Sequence, residues 1–183
     1  MQFDHLCASF GASAELLPFW QQLAFSTLRI GLAKDSSSGT HSFIVNHPLS
    51  VQGKKLHQQI QQQFRGQFAI QLSRHLQEID SELVIKLLTE FPKSSISDSR
   101  LDSYSHGNLP YEFAEPALIE LVLNTDLKGL SKTEQCLTIQ KILQNNSWAK
   151  VCHKQHFSGK KQAQSALKRA IKHLLEEEKH ASR

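Results

Sequence analysis

The sequence predicts an α+β protein, with a small sheet and one packed helix in the first fifty residues and an all-α remainder. Three observations carry this. Short apolar runs closed by Gly or Pro crowd residues 1–50, as strands do. From residue 52 onward, apolar residues recur at three- and four-residue spacing instead, the period of a helix face. Charge divides the same way. Residues 1–50 hold Arg29 and Lys34 against Asp4, Glu15 and Asp35, whereas residues 150–183 hold nine basic residues against Glu176, Glu177 and Glu178.

Residues 3–10, FDHLCASF, read as a buried strand ended by Gly11. Ser13 is an N-cap candidate for the next helix, with Glu15 in its first turn near the positive end of the dipole. Leu16, Phe19, Trp20 and Leu23 form its apolar stripe, which puts Phe19 and Trp20 in the core. Pro18 is tolerable only near the helix start or at a bend. Residues 25–32 and 41–49 are the second and third strands, joined by the loop KDSSSG, a turn by composition. Residues 52–90 read as helical, first Gln-rich and then carrying the stripe Ile79, Leu83, Leu87 and Leu88. Residues 91–104, FPKSSISDSRLDSY, contain five serines and a proline and read as a loop or hinge. Helices follow over 111–124, 131–145, 147–155 and 160–179. In the last, Ser158 is the cap candidate. Ala163, Ala166, Leu167, Ala170, Ile171, Leu174 and Leu175 make one apolar face, and Lys161, Lys168 and Lys172 lie on another.

The 183 residues suit one large domain or two small ones. A net charge of +4 permits a nucleic-acid partner. Cys7, Cys136 and Cys152 form no CxxC pair, and the ten histidines form no HxH or HxxxH pair. Neither a disulfide framework nor a metal site is expected. No stretch approaches the length of a membrane span, and the amino terminus lacks a basic leader. A reduced, cytoplasmic setting is the expectation.

The ordered set Ser9-Phe10-Gly11, Glu15-Leu16, Phe19-Trp20-Gln21, Leu28-Arg29, Ser37-Ser38-Gly39 and Pro48-Leu49-Ser50 resembles the end of the GNAT-type domain in bacterial tRNA(Met) cytidine acetyltransferases. HGNLPYE at 106–112, KILQNNSWAKV at 141–151 and SGKKQAQSALKRAIKHLL at 158–175 resemble that family's tail. The resemblance implies a small remnant of a GNAT-type mixed sheet at 1–50, the carboxy-terminal third of that domain. A helical connector at 51–90, a Ser-rich hinge or loop at 91–105 and a basic helical tRNA-binding tail at 106–183 follow.

By resemblance, the full enzyme acetylates the exocyclic amine of the wobble cytidine of elongator tRNA(Met), with acetyl-CoA as donor and ATP hydrolysed in a separate module. The first strand corresponds to the fifth of a GNAT domain, beside which the pantetheine arm pairs with backbone. Glu15 matches a family glutamate that contacts acetyl-CoA. Gln22 stands where the family has a second contact, an arginine. A neutral amide there lacks the charge-assisted bonding of Arg.

No residue carries over as catalytic base. His5 and His41 have the chemistry for one near neutral pH. The acetyl-CoA phosphate loop and the ATP module match nothing in this sequence, which contains no GxxxxGK[ST]. The expectation is a fragment or a degenerate stand-alone copy, inactive without the amino-terminal half. Lys150, Lys154, Lys160, Lys161, Lys168, Arg169 and Lys172 are the candidate RNA contacts, with Lys160 and Lys161 placed to meet a phosphate at a helix start. A non-enzymatic helical RNA- or DNA-binding module with a vestigial sheet is the alternative. In either case the first strand leaves an unpaired edge, which predicts self-association.

Overall fold

The computed structural model describes residues 3–181. Its strands are β1 (His5–Gly11), β2 (Ser26–Lys34) and β3 (His41–Pro48). Its helices are α1 (Leu16–Gln22), α2 (Val51–Arg74), α3 (Ser81–Leu88), α4 (Ser99–Ser105), α5 (Tyr111–Asn124), α6 (Lys132–Thr138), α7 (Trp148–Gln155) and α8 (Lys160–Ala181). A π-helical turn, Ile139–Leu143, continues α6. The α+β class is as expected. The chain divides into two compact units, residues 1–71 and 72–183, with the division inside α2.

In the first unit the strand order is β1-β3-β2, antiparallel throughout. Among the described residues the sheet is therefore not mixed. Irregularities between Thr27 and Arg29 and between Ile30 and Lys34 shift the β2 register. The hairpin turn at 35–39 is built by its own side chains. Asp35 Oδ1 accepts from the backbone N–H groups of Ser37 and Ser38 at 3.0 and 2.9 Å and from both hydroxyls. Gly39 takes a left-handed φ of +67°, which glycine adopts without strain.

Helix α1 begins at Leu16, so Pro18 falls in the first turn, where its missing N–H has no intrahelical partner to lose. Ser13 Oγ accepts from the Leu16 N–H at 3.1 Å, although Glu15 and not Ser13 is the residue that immediately precedes the helix. The buried face is not the stripe read from sequence. Leu17 is fully buried and Trp20 stacks on Phe10 at 5.4 Å between centroids, while Leu16, Phe19 and Leu23 are about half exposed. Phe19 is thus a surface residue. A seven-residue helix lying on a three-stranded sheet buries only a narrow stripe, and here Leu17 and Trp20, three apart, fill it.

The helical reading of 52–90 holds with a break. α2 ends at Arg74, and Asp80 restarts the chain as α3 by accepting from the Glu82 N–H at 2.9 Å. Ile79, Leu83, Leu87 and Leu88 are all buried, as expected of a core stripe. The loop expected over 91–105 is only partly a loop. Asp98 caps α4 through the Arg100 N–H at 2.9 Å. Leu101 and Tyr104, at i and i+3, are buried, and that apolar anchoring outweighs the Ser-rich composition.

Ser131 and Glu134 form a reciprocal capping box on α6, and Ser147 caps α7. All seven apolar residues predicted for the last helix are buried, and α8 packs on α4, α6 and α7. Ser158 is bonded to the first turn of α8. The Ser158 N–H and hydroxyl both donate to Gln162 Oε1, at 2.6 and 3.0 Å.

Candidate functional site

In the first unit, Glu15 is the N-cap residue of α1 and Gln22 its last residue. Both are exposed. Seven residues is close to two helical turns, so they share a side of the helix. Their neighbours Leu16, Phe19 and Leu23 are also exposed, so this helix offers a surface of mixed polarity. Strand β1 stands at one edge of the sheet, beside β3. His41 is buried, and its Nδ1–H donates to the Gly31 carbonyl at 2.9 Å.

His5 joins a different group. Cys7, Asn46 and Ser26 pair in register across β1, β3 and β2, so their side chains lie on one face of the sheet. His57 of α2 meets this row. Its Nδ1 lies 2.8 Å from Asn46 Oδ1 and its Nε2 lies 2.9 Å from Ser26 Oγ. Asn46 Nδ2 reaches the Leu6 carbonyl at 3.3 Å, Cys7 Sγ at 3.2 Å and His5 Nδ1 at 3.2 Å. The approach is close because Gly53 lets the start of α2 sit against β1. A Cβ at Gly53 would strike the Asp4 carbonyl oxygen and meet His5. Burial, then the neighbouring His5 and His47, holds His57 below the ordinary histidine value.

Sequence reasoning missed His57. It sits in a Gln-rich run whose composition announces only helix. Its partners are 31 and 11 residues away, and only the strand register and the covering helix bring them together.

In the second unit the seven basic candidates divide. Lys150 and Lys154, one turn apart on α7, both bond Glu78, Lys154 at 3.0 Å. Those hydrogen bonds hold the Glu78 carboxyl below its usual range. The other five lie on α8. Among the described residues Lys160, Lys161, Arg169 and Lys172 form no ion pair, and all four are exposed. Lys168 sits 5.8 Å from the Tyr104 ring centre and shares a side of α8 with Lys161 and Lys172. The far end of the helix has the opposite sign. Glu177 and Glu178 line a cleft of about 380 Å³ with Lys93 and Asp126.

Two of the tail segments singled out in the sequence meet in this unit. Lys141 is buried with its Nζ 4.7 Å from the Tyr111 ring centre and 5.3 Å from that of Trp148. The Nζ also donates to the Asn146 carbonyl at 3.1 Å. Burial lowers its affinity for a proton, while the two aromatic faces favour the charged form. Trp148 meets the Tyr111 ring edge-on, with ring centres 5.9 Å apart.

No group of three or more His, Cys, Asp or Glu among the described residues could hold a metal ion. No described helix is long and apolar enough to cross a membrane.

No protein-family model matches the chain. Curated relatives do. The chain is 32% identical over 179 residues to the tRNA(Met) cytidine acetyltransferase TmcA of Vibrio cholerae, covering 94% of this chain and 24% of that protein. It is 30% identical over 183 residues to the protein of that name from Nitrosococcus halophilus, again 94% of this chain and 24% of that one. The Haloferax volcanii protein of the same name is 27% identical over 184 residues. The chain spans about a quarter of the length of these relatives. The likeness runs through both units, which accords with the resemblance read from the motifs.

Proposed function

We propose that this chain, similar over 94% of its length to tRNA(Met) cytidine acetyltransferases, is the carboxy-terminal part of such an enzyme. The residue-level match through both units carries the proposal. In it, the first unit contributes the closing strands of the acetyltransferase domain. The second is the RNA-binding tail. The whole enzyme acetylates the exocyclic amine of the wobble cytidine of elongator tRNA(Met) in the cytoplasm, with acetyl-CoA as donor. ATP is used by a module lying in the three quarters of the relatives that this chain does not span.

Acetyl-CoA supplies the acyl group as a thioester, and the residues here suit part of it. The outer side of β1 presents backbone N–H and C=O groups of the kind an amide-bearing pantetheine pairs with. Glu15 offers carboxylate oxygens to N–H or O–H donors. With Gln22 in place of a cation, α1 provides no charge for the cofactor phosphates, so those are held by the rest of the enzyme. On the RNA side, Lys160, Lys161, Lys168, Arg169 and Lys172 meet the phosphate backbone, and Lys150 and Lys154 are held back by Glu78. The β1 edge pairs with the rest of the enzyme, or with a second copy when that is missing.

A chimaera tests this reading. The matching quarter of the Vibrio cholerae enzyme is replaced with this chain, and acetylcytidine formation in tRNA(Met) is measured. The chimaera should acetylate the tRNA and the isolated chain should not. Acetylation by the chain alone, or a folded chimaera with no activity that still binds both substrates, would contradict the proposal. Nucleic-acid binding indifferent to acetyl-CoA in the folded chimaera would instead favour the non-enzymatic module.

A further inference from the structure

We infer that Ser26, His57 and Asn46 form an acyl-accepting relay in which the Ser26 hydroxyl takes a short acyl group from a thioester or an activated ester. The geometry fixes the direction of each hydrogen bond. The Leu6 carbonyl can only accept, so the atom of Asn46 that faces it at 3.3 Å is the Nδ2 donor. Asn46 Oδ1 is therefore the atom 2.8 Å from His57 Nδ1, and it too can only accept. The His57 proton must then sit on Nδ1, which leaves Nε2 with its lone pair facing Ser26 Oγ at 2.9 Å. Ser26 donates its proton to His57, as a nucleophile donates to its base.

The surroundings support that polarity. Asn46 is 1% exposed and His57 is 9% exposed, so the base and its orienting amide are both held in place. Ser26, at the start of β2, is only partly buried. Charged or titratable groups face His57 from two strands, His5 on β1 and His47 on β3, and Gln61 of α2 contacts the ring in the sense that favours its protonated form. His47 Nδ1–H is committed to the Ala24 carbonyl at 2.9 Å, so it does not compete for Ser26.

The step balances without a further reactant. Ser26 Oγ forms an ester bond to the acyl carbon as the C–S bond of a thioester, or the C–O bond of an activated ester, breaks. The Ser26 proton passes to His57 Nε2, and the imidazolium bonded to Asn46 Oδ1 returns it to the leaving group. Water, deprotonated by the same Nε2, later releases the acid and frees Ser26. None of this requires RNA or the remainder of the relatives' sequence, so its test is separate from that of the proposed function.

The full chain is incubated separately with p-nitrophenyl acetate and with acetyl-CoA, and peptides are mapped by mass. One acetyl group should be found on Ser26 and be absent in S26A. H57Q should slow its formation by about 100-fold or more. In the wild type the acylation rate should fall on acidification, with a midpoint below the ordinary histidine value of about 6.5. Circular dichroism checks that each variant is folded, and the wild-type map and pH profile stand without any variant. Acetyl groups on lysines alone, or a Ser26 adduct whose rate ignores both H57Q and pH, would overturn the relay.

Discussion

Asn46 shows how one buried amide ties two strands and a helix together. Its oxygen accepts from His57 and its nitrogen serves β1. Replacing it with Ala would leave the His57 Nδ1–H unpaired in a dry site, at a cost of about 1–3 kcal/mol in a urea melt. His57 adds a pH dependence. Folding holds its proton affinity below that of the free side chain, chiefly by burial, so the unfolded chain binds more protons in mild acid. The stability contribution is fully present above about pH 6.5 and declines as pH falls through that value toward the lower folded one. H57Q should flatten this part of the stability–pH curve of the first unit. An unchanged curve would mean that the burial of the ring is not felt. A second, more acidic loss belongs to Asp35, whose carboxyl the Ser37 and Ser38 hydrogen bonds hold at about 2. Neither residue's role was legible in the sequence. His57 looks like one polar residue in a Gln-rich run, and its partners are defined by register alone.

Among the elements, the strands and long helices were legible because their apolar periods are unambiguous. Two exceptions have local causes. α4 was hidden by five serines, although Asp98 followed by Leu101 and Tyr104 is a cap and an i,i+3 pair. α1 was assigned the wrong face because its apolar residues nearly encircle it. α2 carries the sharpest test of packing at this scale. Gly-to-Ala changes within helices ordinarily stabilise by about 0.5–1 kcal/mol. At Gly66 nothing lies within 4 Å of an added Cβ, and G66A should follow that rule. At Gly53 the Asp4 backbone carbonyl blocks the Cβ, and G53A should destabilise instead. Opposite signs in thermal melts would support the close seating of α2 on β1. Equal stabilisation would refute it. On α7, Glu78 holds two lysines at an exposed site. E78Q should cost less than about 1 kcal/mol while releasing Lys150 and Lys154 to solvent. Under the proposed function, tRNA binding at low salt should then tighten, read by filter binding. Unchanged or weaker binding would place those lysines away from the RNA.

Taken as a whole, the molecule separates its apolar and charged surfaces between the two units. Among the described residues, Phe3, Leu6, Leu16, Phe19, Leu23, Leu32, Leu49, Val51, Leu56 and Ile70 are large, exposed and apolar in the first unit, against Phe113 in the second. The proposed function gives them a role, since in it more of the enzyme completes the first unit and covers apolar surface there. The likeness to tRNA(Met) cytidine acetyltransferases was legible because the motifs that carry it are local and ordered. The division at residue 71 was not, since it falls inside a continuous helix and composition does not change there. In the proposed function the basic residues of α8 meet the RNA backbone. Binding of elongator tRNA(Met) to the chain is measured from about 50 to 200 mM salt, for the wild type and for K161E/K168E/K172E. Affinity should fall linearly in log–log form, with a slope of roughly −0.7 to −0.9 per phosphate neutralised, and the triple variant should bind more weakly and with less salt sensitivity. Binding that ignores salt, or a folded triple variant that binds as tightly as the wild type, would contradict it.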